Sequence, residues 1–152
     1  MKRAEEILRE KKSYLLSVSK DTTVKEALEL MTEAGIGAIL VKEGDEYVGI
    51  WTERDLMRNI LLDDFDMNTS KVSQYMSTNL KYCEHTATSL QLQDKFLGMR
   101  IRHLLVQKEG KCIGMISTGD VMKTMLNTKE RELKSLNAMV SWEYYENWRW
   151  SR

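Results

Sequence analysis

The chain has 152 residues, and its 23 Lys and Arg balance 23 Asp and Glu to a formal net charge of zero. That balance removes the basic footprint of a nucleic-acid binder. No apolar run approaches the roughly 18 residues of a membrane span, and the charged segment 1–12 lacks the apolar core of a signal peptide. Cys83 and Cys112 stand alone, without a CxxC or a disulfide framework, which fits buried reduced thiols in a cytoplasmic protein.

In chain order, residues 3–12 read as a short charged helix whose apolar positions are Ala4, Ile7 and Leu8, suited to cover an edge or a partner. Residues 15–18 read as a short strand. Val24, Ala27, Leu28, Met31 and Ala34 then recur at helical spacing, opened by Thr23 and closed by Gly35. Residues 38–41 form a buried strand, 43–46 a hairpin turn and 47–51 the return strand. Thr52 opens a second helix, carrying Leu56, Met57, Ile60 and Leu61. Residues 63–78 are acidic and polar and read as a linker passing over the surface.

The same order follows again. Residues 80–83 are a strand, 88–99 a helix carrying Leu90, Leu92, Phe96 and Leu97, 103–107 a strand, 108–111 a hairpin and 112–116 its return. The helix after Ser117 carries Val121, Met122, Met125 and Leu126. The expected organisation is an N-terminal helix (1–12), a first repeat (13–62), the linker (63–78), a second repeat (79–127) and a C-terminal helix (128–152). In that last helix Trp142, Tyr144, Tyr145, Trp148 and Trp150 crowd into nine residues. Such a cluster either packs on its own domain or anchors an oligomer interface.

One phrase marks both repeats. Gly49-Ile50-Trp51-Thr52-Glu53-Arg54-Asp55 and Gly114-Met115-Ile116-Ser117-Thr118-Gly119-Asp120 lie 65 residues apart, and Ile36, Leu40 and Val41 match Ile101, Leu105 and Val106 at the same offset. Each unit is β-α-β-β-α, too small to bury its sheet face alone, so two pack together in an α+β fold. In the phrase, a strand ends, a hydroxyl caps a new helix, and an aspartate follows one turn in. A fresh helix start offers N–H donors, and the aspartate offers acceptors, which together suit a ligand with an anionic group and hydroxyls. The competing reading is a plain capping box, with the acid turned back onto its own main chain. Thr23-x-x-Glu26 and Thr88-x-x-Gln91 read as capping boxes only.

With these residues, positions 13–126 resemble a tandem pair of CBS (cystathionine beta-synthase) domains. The resemblance implies two repeats packed sheet to sheet around a pseudo-twofold axis, flanked by N- and C-terminal helices. It also implies adenosine-containing ligands (AMP, ADP, ATP, in some members NAD or S-adenosylmethionine) held between the repeats, without a metal. By position in the motif it implies ribose recognition by Asp55 and Asp120, and phosphate or sugar contacts by Thr52, Ser117 and Arg54. Arg102 and His103 would meet phosphate, and Ile39, Ile50, Leu104 and Met115 would flank adenine. The family usually dimerises, so a homodimer through the repeat helices, with the C-terminal helix contributing, is expected, as is a protein target read in trans. The repeats are not alike: Arg100, Arg102 and His103 align with Gly35, Gly37 and Ala38, and Gly119 aligns with Arg54, so both clefts are expected to hold adenosine but to grip phosphates unequally.

Three functions compete. The first is a non-enzymatic nucleotide sensor. The second is an oligomerisation or protein-interaction scaffold with non-functional clefts. The third is an enzyme, which the sequence disfavours: it has no P-loop, no HExxH, no Gly-x-Ser-x-Gly and only two histidines, of which His85 aligns with Lys20 in a loop and reads as solvated.

Overall fold

The computed structural model describes residues 1–11 and 15–134. The aromatic cluster from Trp142 to Trp150 lies outside the described residues. The elements in order are α1 (Ala4–Glu10), β1 (Ser17–Ser19), α2 (Val24–Ala34), β2 (Ala38–Glu43), β3 (Glu46–Thr52), α3 (Glu53–Asn59), a 3₁₀ turn (Val72–Gln74), β4 (Tyr82–Glu84), α4 (Ser89–Met99), β5 (His103–Lys108), β6 (Lys111–Ser117) and α5 (Thr118–Lys134). They build two three-stranded sheets, β1-β2-β3 and β4-β5-β6, each with one parallel and one antiparallel pairing. The duplication extends to detail: both antiparallel pairs slip register at the same place, after Val41 and after Val106.

The helices begin where hydroxyl residues satisfy free N–H groups. Thr23 Oγ1 accepts from Glu26 N–H and Thr88 Oγ1 from Gln91 N–H, and each acid or amide returns to the cap backbone. Strand alternation then sorts the side chains. Ile39 and Val41 enter one core with Val24, Ala27 and Met31, while Leu104 and Val106 enter the other with Leu92 and Phe96. The intervening Leu40 and Leu105 are buried outside both cores, on the faces that the two sheets turn toward each other. In the first core Trp51 is fully buried, and its indole N–H donates to Asn59 Oδ1 at 2.9 Å, which satisfies its one polar atom.

Two segments behave differently from their sequence reading. The stretch 63–78 is not simply a surface linker: Val72 is fully buried, and Phe65, Tyr75 and Met76 pack on the first core. Helix α1 lies against the edge strand β6 and also reaches inside: Ala4 and Ile7 are buried in the core of the second repeat. The two lead-ins are equivalent, since Ala4 N–H donates to Ala87 O and Val72 N–H to Thr22 O, and Thr22 and Ala87 are one repeat apart. Each repeat is therefore closed by the segment that precedes the other one in sequence. This explains the glycine of the repeated phrase: a Cβ on Gly49 would run into the Met76 side chain, and one on Gly114 would meet Leu8 Cδ2 at 2.8 Å. Bare backbone is needed there for the lead-ins to lie across the strands.

His85 also departs from expectation. It is half-buried between α1 and β4, its Nδ1 lies 3.3 Å from Glu5 Oε2 without a hydrogen bond, and its carbonyl accepts from Glu5 N–H. Among the described residues no helix is long and apolar enough to cross a membrane. The α5 helix continues without a break through residue 128, where the sequence reading starts a separate helix.

Two measurements check this account. Val72→Ala removes two methyls from a closed core and is expected to cost about 1–3 kcal/mol in denaturant unfolding, whereas Leu97→Ala, at 72% exposure, is expected to change little. Burial raises the Cys83 thiol from its ordinary value of 9.0 to about 11. A raised folded pKa stabilises fully below the unfolded value and is lost as pH climbs through the folded one. The stability of the wild type is therefore expected to fall between pH 9 and 11 more steeply than that of Cys83→Ala, by up to about 2–3 kcal/mol.

Candidate functional site

Each aspartate of the repeated phrase uses one oxygen on its own helix start. Asp55 Oδ2 accepts from Thr52 N–H at 2.9 Å and from the Thr52 hydroxyl at 3.1 Å, while Asp55 N–H donates to Thr52 Oγ1 at 3.3 Å. Asp120 Oδ2 accepts from Ser117 N–H at 2.8 Å, and Asp120 N–H donates to Ser117 Oγ at 3.2 Å. The capping-box reading and the ligand reading are thus compatible, because a carboxylate has two oxygens. The other oxygen of Asp55, Oδ1, has for company only the guanidinium of Arg58, at 4.0 Å.

Beside Asp55 lies a cleft of about 250 Å³ between the repeats. The first repeat supplies Ile50, Thr52, Arg54, Asp55 and Arg58. The second supplies Arg100, Ile101, Arg102, His103 and Leu105, and the segment entering β4 supplies Asn79 and Lys81. The structure thus brings together six of the residues expected from sequence: Thr52, Arg54, Asp55, Ile50, Arg102 and His103. It also decides which cleft the basic residues of the second repeat serve: it is the one beside the aspartate of the first. Arg54, Lys81, Arg100 and Arg102 have no ion-pair partner among the described residues, so the cleft wall carries unneutralised positive charge.

The cleft beside the second phrase is smaller, about 120 Å³, and is lined by Leu8, Leu16, Ile36, Ala38, Gly114 and Met115 among others. Its one lining cation among the described residues is Lys11, at the end of α1. The Lys11 ammonium pairs with Asp120 Oδ2 at 2.8 Å and donates to Met115 O at 3.0 Å. Lys11 corresponds to Asn79 in the other lead-in, so one cleft has a neutral amide where the other has a cation on its aspartate. Sequence reasoning missed Lys11 because the lead-ins run at a different offset from the repeats, with three more residues from the start of α1 to the start of β1 than from the start of the 3₁₀ turn to the start of β4. Lys81 and Arg58 were missed because neither belongs to the repeated phrase.

Two expected adenine-flanking side chains are elsewhere. Ile39 and Leu104 are fully buried in the repeat cores and line neither cleft, since alternation along β2 and β5 turns them to the helix-covered face. On β5 the neighbours of Leu104, His103 and Leu105, face the cleft instead.

The comparisons with known proteins fit this geometry. The CBS domain model matches twice, over residues 4–62 and 72–127, each match starting at a lead-in segment. A mitochondrial CBS domain-containing protein of Arabidopsis thaliana, CBSX3, is 34% identical over 129 residues, covering 82% of this chain and 63% of that protein. Inosine-5'-monophosphate dehydrogenase of Aquifex aeolicus is 35% identical over 131 residues, 80% of this chain but 26% of that enzyme. The chain thus spans less than two thirds of the length of either. Among solved structures, the CBS-domain containing protein ATU1752 from Agrobacterium tumefaciens superposes with a TM-score of 0.77 at 31% identity, covering 82% of this chain and 99% of that one. On the fold, the duplicated phrase and these matches, the chain belongs to the CBS domain family as a tandem pair.

Proposed function

We propose that this CBS pair is a non-enzymatic sensor that binds an adenosine nucleotide in the cleft beside Asp55. The observation that carries the reading is the cleft itself: a capped carboxylate with one uncommitted oxygen stands opposite a wall of unpaired cations. Asp55 Oδ1 accepts from the ribose diol. Thr52, Arg54, Arg102 and His103 meet the phosphate, and Ile50 and Leu105 give the base apolar contact. Two structures of the same fold support the ligand class. PAE2072 from Pyrobaculum aerophilum is complexed with AMP (18% identity, TM-score 0.69), and MJ0100 is complexed with 5'-methylthioadenosine and S-adenosyl-L-methionine (15%, TM-score 0.71). Because the cleft is shared by both repeats, a ligand that binds one arrangement of them more tightly than another shifts the population. The second cleft is smaller, about 120 Å³, and has no arginine among its described lining residues, so one nucleotide binds per chain.

The homodimer has its own support. Met57, Ile60 and Leu61 on and after α3 are exposed, and so are Met122, Met125 and Leu126 on α5, one repeat length away. Two equivalent i, i+3, i+4 stripes left in water suit a symmetric interface between copies.

Titration calorimetry with AMP and ATP tests the site. The wild type is expected to bind one equivalent. Asp55→Asn keeps a carbonyl oxygen for the helix cap but places an N–H₂ donor where an acceptor is needed, and it is expected to weaken binding about tenfold or more, or about 1.4 kcal/mol. Asp120→Asn is expected to leave the affinity within twofold. Two equal sites, or an unaffected Asp55→Asn, would overturn the assignment. For the dimer, light scattering on Leu61→Glu/Met122→Glu is expected to give half the wild-type mass; an unchanged mass would place the interface elsewhere.

A further inference from the structure

The Asp55 cleft holds more positive charge than a monophosphate needs. Five cations line it, Arg54, Arg58, Lys81, Arg100 and Arg102, against two carboxylates, Glu53 and Asp55. That is a local surplus of three positive charges, with His103 neutral, in a chain whose formal net charge is zero. The cations are also layered: Lys81 and His103 are half-buried, whereas the four arginines are exposed. Arg58 has the Asp55 carboxylate at 4.0 Å, whereas Arg54, Arg100 and Arg102 have no anion partner among the described residues.

Arg100 gives an independent observation. It ends α4 in the left-handed conformation, at φ 53° and ψ 39°, where its N–H donates to Phe96 O. The equivalent position at the end of α2 is Gly35, at φ 66° and ψ 38°. The same backbone is therefore built twice, once with the residue that adopts it freely and once with a branched-off arginine that is disfavoured there. Helix termination does not call for this side chain, since glycine does the same work in the other repeat. What Arg100 adds is a guanidinium at the cleft, with no carboxylate partner among the described residues.

We infer that the ligand of the Asp55 cleft carries a linear chain of two or three phosphates, and that Arg100 selects for it by meeting the outer phosphates. This rests on the nucleotide reading above and narrows it. A nucleoside monophosphate brings roughly two negative charges at neutral pH, and each further phosphate adds roughly one, so the monophosphate leaves part of the surplus of three, the diphosphate neutralises it and the triphosphate exceeds it by about one. A planar guanidinium holds two phosphate oxygens at once, which a lysine at the same place would not do.

The test is calorimetry with adenosine, AMP, ADP and ATP, without magnesium, on the wild type and on Arg100→Gly, together with the melting temperature of each protein alone. The expected result is that ADP and ATP bind the wild type at least tenfold more tightly than AMP. In Arg100→Gly that preference falls below threefold, while AMP affinity stays within threefold. The glycine variant, relieved of a disfavoured conformation, melts no lower than the wild type. AMP binding as tightly as ATP, or an Arg100→Gly variant that keeps the full preference, would overturn the inference while leaving the nucleotide reading intact. A clearly lower melting temperature would overturn the premise that the arginine is held for its side chain. If none of the four ligands binds the wild type, the nucleotide reading falls and this inference with it.

Discussion

The functional geometry depends on how each aspartate of the repeated phrase divides its two oxygens. One oxygen must satisfy the N–H at the start of its own helix, because an uncapped helix end leaves donors without partners. That bond fixes the carboxylate at the helix start, for Asp55 in the wall of the larger cleft, and leaves the second oxygen outside the cap. Structure and binding therefore do not compete for this residue. The same hydrogen bonds that begin α3 at Thr52 also aim Asp55 toward the second repeat.

The two aspartates share this geometry but have different neighbours. Duplicated sequence builds duplicated backbone, down to the register slips and the capping distances, yet the clefts are lined by whichever residues each repeat offers to the other. The 100–103 segment carries Arg100, Arg102 and His103 into the first cleft, while its counterpart, 35–38, brings the apolar Ile36 and Ala38 to the second. Lys11 completes the asymmetry by ion-pairing with Asp120. A pair that is symmetric in fold is thus asymmetric in charge, with the lining cations concentrated on one side.

The exchange of lead-in segments ties the repeats together. With α1 in the second core and the 3₁₀ turn in the first, neither sheet is closed by local sequence alone. Removing either lead-in would open a core and strip one wall from a cleft at the same time, so folding of the pair and formation of its clefts are linked. The glycines at 49 and 114 belong to this arrangement, since any side chain there would strike Met76 or Leu8.

The sequence by itself determined the local and repeated features. Helix starts at Thr23, Thr52 and Thr88, the C-cap at Gly35, the hairpins, the two β-α-β-β-α units and the phrase with its aspartates are all written in spacing and residue type, because capping and alternation act within a few residues. Tertiary structure decided everything that depends on which surfaces meet. It put Ile39 and Leu104 in the cores, carried Val72 inward from an apparent linker, set α1 against the second repeat, and placed Lys11 on Asp120. It also assembled Arg54, Arg58, Lys81, Arg100 and Arg102 around one cleft, although they are spread over nearly fifty residues of chain. The physical reason is that a periodic pattern tells which face of an element is apolar but not which partner covers it. That choice is made only when two half-exposed sheets and two exchanged segments find the one arrangement that buries them all.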